Sequence, residues 1–114
     1  MQYDLEDRTR KFSKEVIGLL MRLNHNIINE SIIKQLIRSA SSVGANYCEA
    51  NGAASRKDFK NKIYICRKEI QETKYWIELM AQTNKEEVRD LRKLWQEAHE
   101  LTLIFNKIGS SLKN

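Results

Sequence analysis

Proline is absent from this chain of 114 residues, and glycine occurs only four times. Proline is the strongest breaker of helices, so nothing in the chain interrupts long helical segments in that way. Strands typically alternate polar with β-branched residues, but that pattern is scarce here, and Leu, Ile, Lys, Glu, Arg, Gln and Ala dominate. These residue types favour helices and the length suits one hydrophobic core, so we expect a single all-α domain over residues 1–114.

Residues that catalysis or metal binding would require are equally scarce. His25 and His99 form no HxxxH, ExxH or HExxH pattern, because Gln96 stands three residues before His99. No glycine-rich phosphate loop occurs. Cys48 and Cys66 lack CxxC spacing, and we expect two small buried side chains rather than a disulfide or a metal pair. The chain is therefore predicted to be no enzyme and to hold no metal or cofactor.

Long apolar runs are missing as well. No window approaches the roughly 18 consecutive apolar residues that cross a bilayer. The first twelve residues also lack the apolar core of a signal peptide. We therefore expect a soluble cytoplasmic protein without a membrane partner.

Apolar residues recur every three or four positions along four segments, which is the spacing of one helical face. Each segment is preceded by a residue that can cap a helix, namely Asp4, Asn29 or Ser31, Ser55, and Asn84. Gly52 is expected to end the second helix in the left-handed conformation. The predicted helices span residues 4–23, 31–51, 55–83 and 85–112. Short links make them antiparallel, which predicts an up-down-up-down four-helix bundle whose first two helices are shorter than the last two.

Four large apolar residues lie beside the apolar faces of the predicted third and fourth helices rather than within them: Trp76, Leu79, Trp95 and Ile104. Two interpretations are open for these side chains. They either widen the core stripe of the long third and fourth helices or form part of a subunit interface.

The segment from Ser31 to Ala54 holds only three charged residues, although 31% of the chain is charged. One side of this helix is apolar, and the other includes a polar cluster, defined as Arg38, Ser42, Asn46 and Glu49. We therefore expect this helix to be covered on two sides. An unpaired buried charge is costly, so the charged members need partners elsewhere. The cluster either bonds to other helices and fixes their register, forms an oligomer interface, or contacts a ligand or RNA.

Positive charge is concentrated in the middle of the chain, since residues 31–68 contain eight basic and two acidic residues. Much of it follows the side of the third helix that points away from the apolar seam. We call this side the basic face: Lys57, Lys60, Tyr64, Arg67, Lys68, Gln71, Lys74 and Tyr75. Arg56 adjoins it at the helix start, where free N–H groups favour anions.

Basic side chains attract phosphates, and exposed Tyr rings stack on unpaired bases. The basic face therefore has the composition of a nucleic-acid-binding surface. The residues predicted to bind nucleic acid are Arg56, Lys57, Lys60, Tyr64, Arg67, Lys68 and Lys74. The alternative is an ordinary solvated face whose tyrosines pack on a neighbouring element.

One motif runs through the second and third helices: Arg38-Ser39-Ala40, Ser42, Asn46, Glu49, Gly52, Ser55 and Phe59. Together with the opening Tyr3-Asp4-Leu5-Glu6 and Arg8-Thr9, it resembles the bacterial four-helix bundle proteins encoded by intervening sequences in large-subunit ribosomal RNA genes. That family includes the accessory variability protein of diversity-generating retroelements. The chain lacks the proline that many members carry near Ile33, and has Ala50 and Ala53 where many have Gly and Arg.

The resemblance implies assembly into a homopentamer, a ring with a central channel. In the retroelement branch it implies a positively charged ring that binds nucleic acid and a reverse transcriptase. We therefore expect a non-enzymatic, ring-like homo-oligomer that binds RNA or structured nucleic acid through the basic face. The alternative is a protein-binding scaffold or accessory subunit, for example of a reverse transcriptase, without direct nucleic-acid contact.

Overall fold

The computed structural model describes residues 4–112, and the regular structure within them is helical. Four α-helices follow in order, α1 (Leu5–Leu20), α2 (Ile27–Asn51), α3 (Arg56–Thr83) and α4 (Val88–Ser111), with a 3-10 turn at Lys85–Glu87 before α4. Consecutive helices pack against each other and α1 also contacts α4, which closes a bundle of 45 × 24 × 22 Å. The predicted up-down-up-down four-helix bundle is confirmed. Within the described residues, no helix is long and apolar enough to cross a bilayer.

One continuous core runs along the bundle axis. The apolar side of α3 faces it through Ile63, Cys66, Ile70, Ile77 and Met80. The core's largest fully buried side chains include Phe12, Leu36, Ile63, Ile70, Ile77, Leu101 and Phe105. Trp76, Trp95 and Ile104 are partly buried against its edge. Within the single chain, these three side chains therefore widen the core stripe.

Two of the predicted helix starts are confirmed by their capping bonds. The Asp4 carboxylate accepts a hydrogen bond from the Asp7 backbone N–H at 3.2 Å, and α1 follows directly. The Ser55 hydroxyl accepts one from the Asp58 N–H at 3.1 Å, and α3 follows. Each cap satisfies an N–H group that has no partner inside its helix.

The predicted start of α2 is wrong by four residues. The helix begins at Ile27 because Asn26 is its cap, with Oδ1 accepting from the Asn29 N–H at 2.9 Å. The helix therefore has 25 residues, against 24 in α4, so only α1, with 16, is clearly shorter. The prediction that the first two helices are both short is wrong for α2.

The predicted end of α2 and the predicted cap of the fourth helix also need correction. Gly52 has φ −97°, so it does not adopt the left-handed conformation. The turn there is closed instead by hydrogen bonds from the Gly52 N–H to Glu49 O and from the Ala53 N–H to Ala50 O, both 3.1 Å. Asn84 makes no side-chain capping bond to the turn that follows it.

Asn84 instead pairs with Asn29, which is only 1% exposed. Each amide donates to the other's Oδ1 at 2.9 Å. The Asn29 amide also donates to Asn24 O at 2.8 Å, and its Oδ1 accepts from the Thr83 hydroxyl at 3.3 Å. Asn29 lies in the first turn of α2, so the pair joins this turn, and through Asn24 the α1–α2 connection, to the α3–α4 connection at the same end of the bundle.

Candidate nucleic-acid interface

The basic face lies on the outer side of α3 beside α4. Lys60, Arg67 and Lys74 follow one another at seven-residue intervals, so they lie in a line with steps of about 10 Å along the helix. Lys57 and Lys68 are exposed next to this line. Among residues 4–112, Lys57, Lys60, Arg67 and Lys74 form no ion pair, and Lys68 makes only a 3.9 Å contact with Glu69.

Basic residues at other helix boundaries have acidic partners. Arg8 of α1 contacts the carboxylates of Glu97 and Glu100 of α4 at 2.8 and 2.9 Å. Arg22 lies 3.0 Å from Asp90 in the same way. In contrast, Lys57, Lys60, Arg67 and Lys74 of the basic face have no ion-pair partner within residues 4–112, so they are available to an external anion.

Tyr64 occupies the centre of the basic face between two cations. The Lys60 ammonium lies 5.7 Å and the Arg67 guanidinium 5.5 Å from the ring centroid, which are cation–π distances. Arg67 is also held against α4, because its Nε donates to Asn106 Oδ1 at 3.0 Å. Gly109 permits this packing, since a Cβ there would lie 3.0 Å from Arg67 Nη1. The guanidinium is thus held in place across the α3–α4 boundary.

A second cation–aromatic group lies two turns further along. The Lys74 ammonium is 5.2 Å from the centroid of Trp95 and 3.3 Å from Nδ1 of His99. The Trp95 and His99 rings stack with centroids 5.1 Å apart and planes inclined by 10°. The Trp95 indole N–H donates to Glu78 Oε2 at 2.9 Å.

The α4 residues of this interface were not predicted from the sequence. Trp95, His99 and Asn106 are spaced by four and seven residues, so they share one side of α4. That spacing could have identified them once α3 and α4 were taken as neighbours. Across residues 91–112, this side of α4 carries no acidic residue, because Glu97 and Glu100 turn towards Arg8.

The other predicted binding residues lie at the margins. Arg56 reaches the end of α4, where its Nη2 donates to Leu112 O at 3.4 Å. Tyr75 belongs to the basic face but was not among the predicted binding residues; it is 51% exposed and meets Trp76 edge-on, with centroids 4.9 Å apart. Lys60, Tyr64, Arg67 and Lys74 therefore form one group beside α4, which Arg67 and Lys74 contact directly. The other predicted binding residues lie at the edges of this group.

The charged members of the polar cluster pair with α3. Arg38 donates to Glu69 Oε1 at 2.9 Å and also contacts the Glu72 carboxylate. Glu49 accepts from the Lys62 ammonium at 2.6 Å. The Glu69 side chain is only 7% exposed, whereas that of Arg38 is 48% exposed. Arg38 thus compensates a buried carboxylate from the surface.

The uncharged members of the polar cluster bond to each other within α2. The Asn46 amide donates to Ser42 O at 2.8 Å and to the Ser42 hydroxyl at 2.9 Å. The outer side of α2 is open to solvent in the single chain. Burial of α2 on two sides, as predicted, would therefore require a second subunit. The role of the polar cluster as an oligomer interface stays a prediction.

The two cysteines differ in their surroundings. Cys66 is buried as predicted and its thiol lies 3.5 Å from Val43 O, while burial raises its pKa to about 12. Cys48 is exposed, so the prediction of two buried cysteines is wrong for it. Its Sγ lies 3.3 Å from a carboxylate oxygen of Glu6 across the α1–α2 boundary. Both thiols are free, and the described residues contain no group of three metal-ligating side chains.

The fold and this surface define a class of protein, a helical bundle with a basic face whose row of Lys60, Arg67 and Lys74 forms no ion pair within residues 4–112. A sequence model of the family described as 23S rRNA-intervening sequence protein matches residues 2–109. The chain belongs to that family, which confirms the resemblance.

A solved structure is similar over nearly the whole chain. It is the 1.70 Å crystal structure of a protein of unknown function from the S23 ribosomal protein family of Bacteroides thetaiotaomicron VPI-5482. The two chains are 30% identical with a TM-score of 0.80, over 91% of this chain and 96% of the other. Comparison with curated proteins gives no significant match.

Proposed function

We propose that this chain is a non-enzymatic protein that binds RNA, or another structured nucleic acid, through the basic face and the adjoining side of α4. One observation carries the proposal: Lys57, Lys60, Arg67 and Lys74 lie along one helix without an acidic partner among residues 4–112. Such a row favours a polyanion, because each phosphate contact releases condensed counterions from the nucleic acid. Aromatic rings beside the row can add stacking contacts with unpaired bases.

A salt titration of RNA binding, followed by fluorescence anisotropy, tests this proposal. The first variant is Lys57→Glu with Lys68→Glu, which alters two exposed side chains without removing a hydrogen bond within the described residues. The second is Lys60→Glu with Arg67→Glu, at the centre of the row. The control, Lys14→Glu with Lys34→Glu, makes the same charge change on exposed residues of α1 and α2.

We expect both face variants to lose at least about tenfold in affinity at low salt. We also expect the slope of log K against log salt to fall by about 0.7 to 0.9 for each phosphate contact removed. The control should keep most of the affinity and the wild-type slope. Absence of binding at low salt, or equal losses in control and face variants, would overturn the proposal.

We also propose that the chains assemble into a homo-oligomer, with a five-membered ring as the form that the family resemblance suggests. Apolar side chains exposed near the α1–α2 connection support an assembly, since Met21 is 78%, Ile27 84% and Ile28 54% exposed. Light scattering should give about five chain masses. A species of 13.4 kDa across micromolar concentrations would refute it.

The same exposed apolar residues favour a second candidate function, a scaffold that binds another protein. In that case a partner would remain bound after nuclease treatment, and Ile27→Ser with Met21→Ser would release it. Under the RNA-binding proposal, nuclease treatment releases whatever is retained through the basic face. The two functions are therefore distinguished by one pull-down, performed with and without nuclease.

A further inference from the structure

A groove of about 340 Å³ opens between the last turns of α3 and the first turns of α4. We call it the α3–α4 groove. Its apolar lining residues are Ile77, Ala81, Val88, Leu91 and Trp95, and its polar ones are Glu78, Arg92 and Gln96. The groove continues the basic face, because Lys74 lies one turn before Glu78 on α3 and contacts Trp95.

The Trp95 indole forms an ordered wall of this groove. Its N–H is bonded to Glu78, and the His99 ring stacks on it from one turn further along α4. Val88, Leu91 and Arg92 precede Trp95 on α4 and Gln96 follows it, so the indole lies within the α4 lining of the groove, whereas His99, on which it stacks, is not part of that lining. A ring held in this way loses little conformational entropy when a ligand stacks on it.

We propose that the α3–α4 groove holds an unpaired nucleobase of the RNA bound on the basic face. The groove combines a flat aromatic wall with an apolar floor, which suits a base. The amide of Gln96 and the carboxylate of Glu78 can bond to the base edge. Arg92 lines the groove and Lys74 contacts Trp95, so both cations are close enough to bind the flanking phosphates. This inference rests on the proposed function and adds that RNA with unpaired nucleotides is preferred over a perfect duplex.

A protein side chain would also fit an apolar floor, but two features favour the base. Lys74 and Arg92 form no ion pair within residues 4–112, so both cations are available to a phosphate at the rim of the groove. The row of Lys60, Arg67 and Lys74 also leads directly to the groove. A base inside a duplex cannot enter, because both its faces are covered by neighbouring bases.

The test compares two RNAs of equal length and charge, a hairpin with an unpaired loop and a fully paired duplex. Wild-type protein should prefer the loop RNA by about tenfold, since stacking of one base on an aromatic ring contributes on that order. Trp95→Leu removes the wall, and Ala81→Leu fills the groove while keeping Trp95. Both should lower loop affinity to the duplex level, and Ala81→Leu should leave duplex affinity unchanged. Trp95→Phe keeps a ring and should retain most of the preference.

A spectroscopic readout keeps the test independent of folding defects. In a Trp76→Phe background Trp95 is the remaining tryptophan, so its emission reports on the groove. Loop RNA should quench it and duplex RNA should not. Equal affinity for both RNAs, or undiminished loop preference in both Trp95→Leu and Ala81→Leu, overturns the inference while RNA binding itself stands. Absence of binding to either RNA instead refutes the proposed function.

Discussion

The asparagine pair allows a quantitative prediction about stability. Asn29→Ala removes four side-chain hydrogen bonds, made with Asn24 O, the Thr83 hydroxyl and both polar atoms of the Asn84 amide. Each such bond contributes about 1 kcal/mol net. Thr83 is exposed and Asn84 half-buried, so water can replace part of the loss on their side. We therefore expect a destabilisation of about 2 to 3 kcal/mol, which corresponds to roughly 10 °C in Tm.

Urea unfolding followed by circular dichroism at fixed protein concentration measures this change. Asn61→Ala is the matched control, because Asn61 is exposed in α3 and Ala favours helix more than Asn does. The control should be neutral or slightly stabilising. Asn29→Asp should cost at least as much as Asn29→Ala near neutral pH, since a carboxylate cannot donate to Asn24 O. It should recover partly in acid, where the protonated side chain can donate again.

A double-mutant cycle decides whether the two asparagines act as a pair. Asn84→Ala alone should also destabilise, and the double variant should lose less than the sum, with a coupling of about 1 kcal/mol or more. Additive losses would refute the reciprocal pairing. A change of less than about 0.5 kcal/mol for Asn29→Ala would refute the energetic argument altogether.

Two further predictions concern other buried groups. Arg38→Met should destabilise the folded protein by about 1 to 2 kcal/mol, because it leaves the buried Glu69 carboxylate without its closest partner. This value is kept small because the Arg38 side chain is half-exposed, so solvent screens the ion pair. Adding Glu69→Gln to Arg38→Met should restore part of the lost stability. The control Lys34→Met should have little effect on stability in the same urea assay. Equal losses of stability for Arg38→Met and Lys34→Met would contradict the reasoning. An aromatic disulfide reagent should titrate one thiol per folded chain near neutral pH and two after denaturation, because Cys66 is buried with its pKa raised to about 12. Rapid reaction of both thiols in the folded protein would show that Cys66 is accessible.

The periodicity of apolar residues was sufficient to predict the helices and their arrangement. The α3 seam faces the core because heptad spacing places its residues on one side of a helix, whatever the partner. Ser55 and Asp4 were identified as caps because capping is local and needs only the next three residues. Such features depend on neighbours in the chain, but several residues can qualify as a cap, and for α2 the sequence favoured Asn29 or Ser31 where the structure has Asn26.

Features that depend on neighbours in space could not be inferred in the same way. Asn29 and Asn84 have the residue type of a cap, and only the meeting of two connections shows that they pair with each other. The pairing of Arg38 with Glu69 likewise depends on how α2 and α3 are aligned. The basic side of α3 was predicted from spacing, but the α4 residues that complete the interface were not, since spacing identifies a face and not what lies opposite it.

The distribution of ion pairs among the helix boundaries determines how the molecule responds to dissolved salt. Carboxylates bridge α1 to α4 and α2 to α3, whereas in residues 4–112 no ion pair joins α3 to α4. Apolar packing, the Lys74–Trp95 contact and hydrogen bonds such as that from Arg67 to Asn106 hold that boundary instead, and short-range contacts of this kind are screened little by salt. Raising ionic strength should therefore release a bound polyanion without separating the two helices that form its binding surface. A bound strand would likewise not have to displace an ion pair between α3 and α4, so it can bind and dissociate while these two helices stay packed together.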